Sequence, residues 1–233
     1  GAVLARSGDV YGRLARLEQL PPALPAAVLA TEDRRFYSHF GIDLIGLARA
    51  MVANIQAGKI VQGGSTITQQ VAKNLFLTPE RTIRRKFQEL LLALWLEQKF
   101  SKGQILTIYL NRVYLGSGTY GVDAAAKRYF GKSVRQVGLA EAALLAGLLK
   151  APSRLSPARD LKAAHRRARV VLDSMVAAGF LSPADAASAK KNPARLVKQE
   201  KPSGAARYFS DWVREQLPAY AGRDAPALTV HTT

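Results

Sequence analysis

Apolar residues recur along this chain at three- and four-residue steps, interrupted by short clusters of Gly, Pro, Ser and Asp, and that spacing predicts a succession of helices. After Pro21, Pro22 and Pro25, the run AAVLATEDRRFY bunches its apolar residues on one side of a first helix. Leu44, Ile45, Ala48, Met51, Val52 and Ile55 then make one stripe, with Arg49 and Lys59 off it. Such a stripe faces either a protein core or a lipid surface. Gly63 and Gly64 break the pattern, and Thr66 with Gln69 three residues on predicts a capping box for the helix TQQVAKNLF. Residues 82–100 carry the longest helical signal, apolar on every side in its second half, which predicts burial in the middle of the fold.

Further along, GQILTIYLNRVYLG reads as an apolar helix ending at Gly116, SGTYG as a loop, and VDAAAKRYF as another helix. LAEAALLAGLL predicts a fully buried helix. Residues 158–180 predict an amphipathic one stopped by Gly179, and Ser182, Pro183 and Asp185 supply the cap, first-turn Pro and first-turn acid of the next. The two ends differ. GAVLARSGDVYGRL alternates as a short strand, a Ser7/Gly8/Asp9 turn and a second strand, and ALTVHTT alternates again, so both ends read as pieces of a longer chain. The fold class expected is mainly α with short terminal β-strands. Beyond Lys191 the chain turns polar, which predicts a domain boundary near residue 200.

Composition narrows the function. At 233 residues, 48% hydrophobic and 22% charged, with 18 Gly and 11 Pro, the chain can bury a core and is not a disordered or collagenous sequence. Its 34 Lys and Arg against 17 Asp and Glu leave a net charge of +17, a field that favours phosphate, acidic lipid or nucleic acid. Without Cys there is no disulfide, thiol nucleophile or zinc–thiolate site, and His39, His165 and His231 are too scattered for a local metal motif. No segment reaches the roughly 18 uninterrupted apolar residues of a membrane span.

With so few His, acid and base chemistry falls to carboxylates, and two stand out. Glu32 sits among Ala30, Phe36, Asp33, Arg34, Arg35 and His39; the alternative is a first-turn acid favoured by the helix dipole. Glu89 opens the apolar half of the long helix with Arg85 at i−4 and Lys86 at i−3; the alternative is a plain i,i+4 ion pair. GGSTITQQ offers backbone N–H groups at a helix start to an anion, or is simply a capped helix. Lys73, Arg81, Arg84, Arg85 and Lys86 follow closely, and cations grouped with oriented amides suit a diphosphate. An SxxK match at Ser188–Lys191 has no SxN or KTG partner and predicts no serine acylation.

Taken in order, ATEDRRFYSHFG, GGSTITQQVAKNLF, RKFQE, KGQILTIYLNRVYLG and AAAKRYFGKS resemble the five motif blocks of the peptidoglycan glycosyltransferases, family 51 of the glycosyltransferases and the transglycosylase modules of class A penicillin-binding proteins. The resemblance runs from about residue 28 to about residue 195. It implies a lysozyme-like helical large lobe with a smaller membrane-facing lobe near residues 42–62. The expected organisation is an entry strand or linker over 1–24, a catalytic domain over 25–200, and a linker over 201–233 toward a transpeptidase domain. An anchoring helix ahead of Gly1 is expected by the same likeness, with the domain on the outer face of a bacterial cytoplasmic membrane.

By the same resemblance, Glu32 is the general base toward the acceptor sugar's 4-hydroxyl and Glu89 the second glutamate. Lys73 and Arg81 match pyrophosphate contacts, Arg85 and Lys86 share the motif of Glu89, and Ser65, Thr66, Gln69 and Gln70 match cleft residues that contact substrate. Asp33 and His39 belong to the first block and are expected to contact substrate. Tyr109, Asn111 and Gly116 match the fourth block, where packing is expected. The implied substrate is lipid II with the growing glycan; the implied partners are the membrane surface and other cell-wall synthesis proteins, with a divalent cation (Mg or Mn) as a candidate cofactor, no organic cofactor and no nucleic acid. Two rivals stand beside this. A lytic enzyme would need a carboxyl kept protonated, whereas Arg85 and Lys86 favour a carboxylate at Glu89. A nucleic-acid binder rests on Arg159, Lys162, Arg166, Arg167 and Arg169, which read as a solvated helix face.

Overall fold

A computed structural model describes residues 10–59, 63–78, 80, 82–197 and 212. Asp9–Val197 cluster as one compact unit, and the fold below is of that unit. Its helices are α1 (Ala23–Glu32), α2 (Leu44–Ala57), α3 (Ile67–Phe76), α4 (Ile83–Lys99), α5 (Lys102–Arg112), α6 (Val122–Phe130), α7 (Leu139–Leu148), α8 (Leu161–Ala177) and α9 (Pro183–Lys191). The mainly α expectation therefore holds among the described residues.

The core forms around α7, whose residues from Ala142 to Leu148 are all buried, as the unbroken apolar run predicts. α7 packs on α8 and α1, while α3 packs on α4 and α5. α6 links the two groups, packing on both α5 and α7, and on α1 Leu24, Ala27, Val28 and Leu29 are buried. Local signals set most boundaries. Thr66 and Gln69 form the expected capping box of α3, and Ser182 caps α9 with Pro183 in its first turn. Gly179 follows the end of α8 with φ +74, a conformation that favours glycine.

Several expectations change. α5 stops at Arg112, not at Gly116, because Gly121 N–H turns back onto Val113 O at 2.9 Å and Leu115 N–H bonds Thr119 O at 2.9 Å. SGTYG is not merely a loop, since Thr119–Tyr120 (β2) pairs in parallel with Val10–Tyr11 (β1). The first of the two expected N-terminal strands, the ALTVHTT strand and, apart from Trp212, the 201–233 linker lie outside the described residues. β1 can lie against α6 because residue 12 is Gly: a Cβ there would meet Ala124 N at 2.4 Å. Asn111 secures the next residues, accepting from Ala15 N–H and donating to Ala15 O, each at 2.8 Å. Residues 10–24, read as an entry strand or linker, are thus built into this unit.

The two apolar helices α2 and α4 depart most from a buried reading. On α2 only Ala50 is buried, while Leu44 and Ile55 are each 72% exposed, and Ile45, Met51 and Val52 are also exposed. The core-facing reading of that stripe is overturned. On α4 only Glu89, Ala93 and Leu96 are buried, and Phe87, Leu91 and Trp95 are exposed, so one face packs instead of all sides. Among the described residues no helix is long and apolar enough to cross a membrane.

Candidate active site

The site begins where α1 ends. Glu32 is the last residue of α1, and Asp33 leaves the helix at φ −156 and ψ 77. The first-turn reading of Glu32 is therefore wrong. At a helix C-terminus the dipole opposes a negative charge, so this carboxylate needs other support. Phe36, expected one turn on along the same helix, lies instead in a separate 3-10 turn, Phe36–Ser38.

Asp33 causes the break. Its buried carboxylate accepts from Ile67 N–H at 3.0 Å and from His39 Nε2 at 2.9 and 3.0 Å. The first bond satisfies an orphan donor in the opening turn of α3. Thr66 completes the junction, donating its hydroxyl to Gly41 O at 2.7 Å while accepting from Gln69 N–H at 3.2 Å. Gly41 can hold that carbonyl because it takes φ +74 with Ala93 O only 3.2 Å from where a Cβ would sit. Asp33, His39, Thr66 and Gln69 thus serve to lock the end of α1 to the start of α3; their side chains are engaged within the protein.

That lock places Gln70 beside Glu32. Gln70 Nε2 donates to Glu32 Oε2 at 2.9 Å, and Tyr109 OH, from α5, donates to Gln70 Oε1 at 3.1 Å. Burial pushes the Glu32 carboxyl above its ordinary 4.5, against the opposing pull of the Gln70 hydrogen bond, Arg167 and Lys73; the neighbouring Asp33 charge adds to the rise. Burial also raises the Tyr109 phenol well above 10, helped by the charges of Glu32 and Asp33. Lys73 stands exposed in the last turn of α3 with its charge felt at Glu32. Arg81 lies outside the described residues.

A small cleft runs from Glu32 past Asp33, Arg34 and Arg49 to Gly63, Gly64, Ser65 and Thr66. Ser65 joins it to the second carboxylate, because Lys86 Nζ donates both to Ser65 Oγ at 3.2 Å and to Glu89 Oε1. Arg85 Nη1 stands 3.6 Å from Glu89 Oε2. Glu89 is 3% exposed, so this is a buried carboxylate held between two cations, as the i−4 and i−3 spacing predicts. A larger cavity of about 670 Å³ lies between α7 and α9 and includes Ser188, but none of its lining residues belongs to the five motif blocks.

A divalent cation fits this arrangement poorly. Among the described residues no three His, Asp or Glu side chains form a group able to hold one, and both oxygens of Glu89 face cationic nitrogens.

Two participants were not assigned from the sequence. Arg167, read as part of a solvated face, is only partly exposed, and its charge acts on Glu32; burial in turn lowers its own proton affinity. Its position gives a usable signal, because it lies three residues after Ala164 and four before Val171, both buried, on the core-facing stripe of α8. Tyr109 was expected only to pack. Its hydroxyl partner on α3 depends on tertiary structure that spacing does not reveal.

The transglycosylase family profile matches residues 1–176. Penicillin-binding protein 1A of Aquifex aeolicus is 46% identical over 239 residues, covering 97% of this chain and 32% of that protein. Penicillin-binding protein 1A of Neisseria flavescens is 41% identical over 238 residues, covering 100% of this chain and 30% of that protein. A 2.6 Å crystal structure of penicillin-binding protein 1A from Haemophilus influenzae matches with a TM-score of 0.58 and 27% identity, over 93% of this chain and 22% of that chain. The chain spans about a third of the length of the curated relatives it matches.

Proposed function

This chain belongs to the transglycosylase family, as a peptidoglycan glycosyltransferase module of the class A penicillin-binding kind, and from that premise we propose that it polymerises lipid II with Glu32 as general base. The observation that carries the reading is a partly buried carboxylate, raised in proton affinity by that burial, at the end of a cleft bordered by cations. A base works best when its proton affinity lies near the operating pH, and burial moves Glu32 in that direction.

In the proposed step the acceptor's 4-hydroxyl loses its proton to Glu32 as its oxygen attacks the donor's anomeric carbon. The bond from that carbon to the diphosphate oxygen breaks, the configuration inverts, and the electron pair leaves with polyprenyl diphosphate. A diphosphate is stable as an anion and asks for positive charge instead of a proton. Lys73, Lys86 and Arg85 supply that charge; Ser65, which Lys86 contacts, and the Gly63–Gly64 segment line the cleft beside Glu32. The exposed apolar face of α2 suits a surface that meets lipid, where the polyprenyl chain resides, and this favours action at the outer face of a bacterial cytoplasmic membrane.

A raised carboxyl also suits the acid of a glycan-cleaving enzyme. The cations around both carboxylates favour synthesis, and preformed glycan is the control substrate. Purified protein given lipid II in detergent is expected to make polymer and to release no fragments from preformed glycan; fragments without polymer would reverse the assignment. In the same preparation Lys73→Ala is expected to weaken lipid II binding about tenfold, the size of one charge-assisted contact. Unchanged affinity would take Lys73 out of the diphosphate site.

A further inference from the structure

Gln70 is an amide held by both ends: Nε2 faces Glu32 Oε2 at 2.9 Å and Oε1 faces Tyr109 OH at 3.1 Å. The two ends of a primary amide are nearly the same shape, so rotation by half a turn exchanges them at little steric cost. The exchange matters here. With Nε2 toward Glu32 the amide supports a carboxylate, which can only accept. With Oε1 toward Glu32 two acceptors oppose each other, unless the carboxyl carries a proton and donates it. A freely rotating Gln70 would therefore accommodate protonated Glu32, the state in which a base cannot act, as readily as the carboxylate, whereas a fixed one favours the carboxylate.

We propose that Tyr109 is a positioning residue that fixes this choice, its hydroxyl proton holding Gln70 Oε1 so that Nε2 stays toward Glu32 throughout turnover. Tyr109 is 1% exposed, and a phenol buried that deeply costs stability unless its hydroxyl is bonded; Phe would fill the same space without that cost. The phenol stays protonated far above neutral pH, so it remains a donor at any working pH. α3 and α5 pack together, which sets the distance between Tyr109 and Gln70 independently of substrate. Among the described residues, the groups that act on Glu32 are Asp33 beside it, Lys73 and Gln70 from α3, Tyr109 from α5 and Arg167 from α8, with Arg34 and, from α2, Arg49 lining the same cleft. Tyr109 adds a bias that does not depend on the charge of Glu32: with the amide reversed, the phenol oxygen could accept from Nε2, but its own proton would lose Oε1, the acceptor it has here.

This inference rests on Glu32 as the base, and its test separates the two ideas. Glu32 is titrated by carboxyl-carbon NMR, its signal identified by its loss in Glu32→Gln, and kcat and KM for lipid II are measured in parallel. Tyr109→Phe is expected to lower kcat about tenfold with KM unchanged, and to move the Glu32 titration upward. In a Gln70→Leu background, adding Tyr109→Phe is expected to change neither quantity further, because the phenol acts through the amide. An unmoved titration with unchanged kcat in Tyr109→Phe would overturn the proposal. So would an equal loss in the Gln70→Leu background, which a packing defect alone would produce. Polymerisation persisting in Glu32→Gln while Tyr109→Phe still moves the titration would uphold the orientation and remove Glu32 from the base role.

Discussion

Glu32→Gln is expected to cut lipid II polymerisation by about 10³-fold, the scale of a lost general base, while making the folded protein more stable at pH 8. The two effects share one cause. Burial holds the Glu32 carboxyl above 4.5, so the folded chain binds a proton there more tightly than the unfolded chain does. Stability from this group is fully present below 4.5 and is lost as pH rises through the folded value. Arg167 and Lys73 oppose the rise without cancelling it. A neutral Gln escapes that loss, so its thermal midpoint should exceed the parent's at pH 8 and lose the advantage below pH 4.5. Melting curves at the two pH values check the second half of the prediction. A lower midpoint at pH 8 would mean that the carboxylate stabilises the fold.

Asp33→Ala carries the other large effect, and it falls on the scaffold. Removing this carboxylate leaves Ile67 N–H and the His39 ring without their partner in a buried junction. Stranded polar groups of that kind cost about 3 kcal/mol together. That is a large part of the 5–15 kcal/mol by which a domain of this size is typically stable. Urea unfolding should show the loss as an earlier midpoint with an unchanged slope. Because the same junction sets α3 against the end of α1, kcat should fall as well, through displacement of Gln70 from Glu32. A midpoint within about 0.5 kcal/mol of the parent would show that the junction does not depend on Asp33.

The contrast between these residues explains how far the sequence could be read. The caps at Thr66, Gln69 and Ser182 are written within four residues, and each appears where expected. The buried α7 needs only its own composition. The end of α1 is different. ATEDRRFY contains no Gly or Pro to stop a helix, and the break after Glu32 arises from Asp33 bonding a residue 34 positions away. Glu32 stands out among its neighbours and takes its role from the resemblance, but nothing local marks it as a helix end, and the first-turn alternative fails. Arg167 was missed for a related reason: a cation on an apolar stripe was counted with its exposed neighbours Arg166 and Arg169. On α2 and α4 the pattern correctly marks apolar residues, but periodicity does not say what covers them. The structure leaves Leu44, Ile55 and Phe87 open.

The cationic half of the site follows from spacing more directly. Arg85 and Lys86 precede Glu89 by four and three residues on one helix, so their approach to it needs no tertiary help. What the sequence could not supply is the Lys86–Ser65 contact, which carries that charge across to the cleft beside Glu32. In the proposed step, a diphosphate leaving between two such halves would meet positive charge on one side and a proton acceptor on the other.

The central claim is that an ionised Glu32 strips the acceptor hydroxyl while cations receive the diphosphate. The pH dependence of kcat/KM for lipid II polymerisation by the unaltered protein tests it most directly. An acidic limb falling with unit slope is expected, its midpoint above 4.5 because burial raises Glu32. Full activity carried down through pH 4.5 would contradict it.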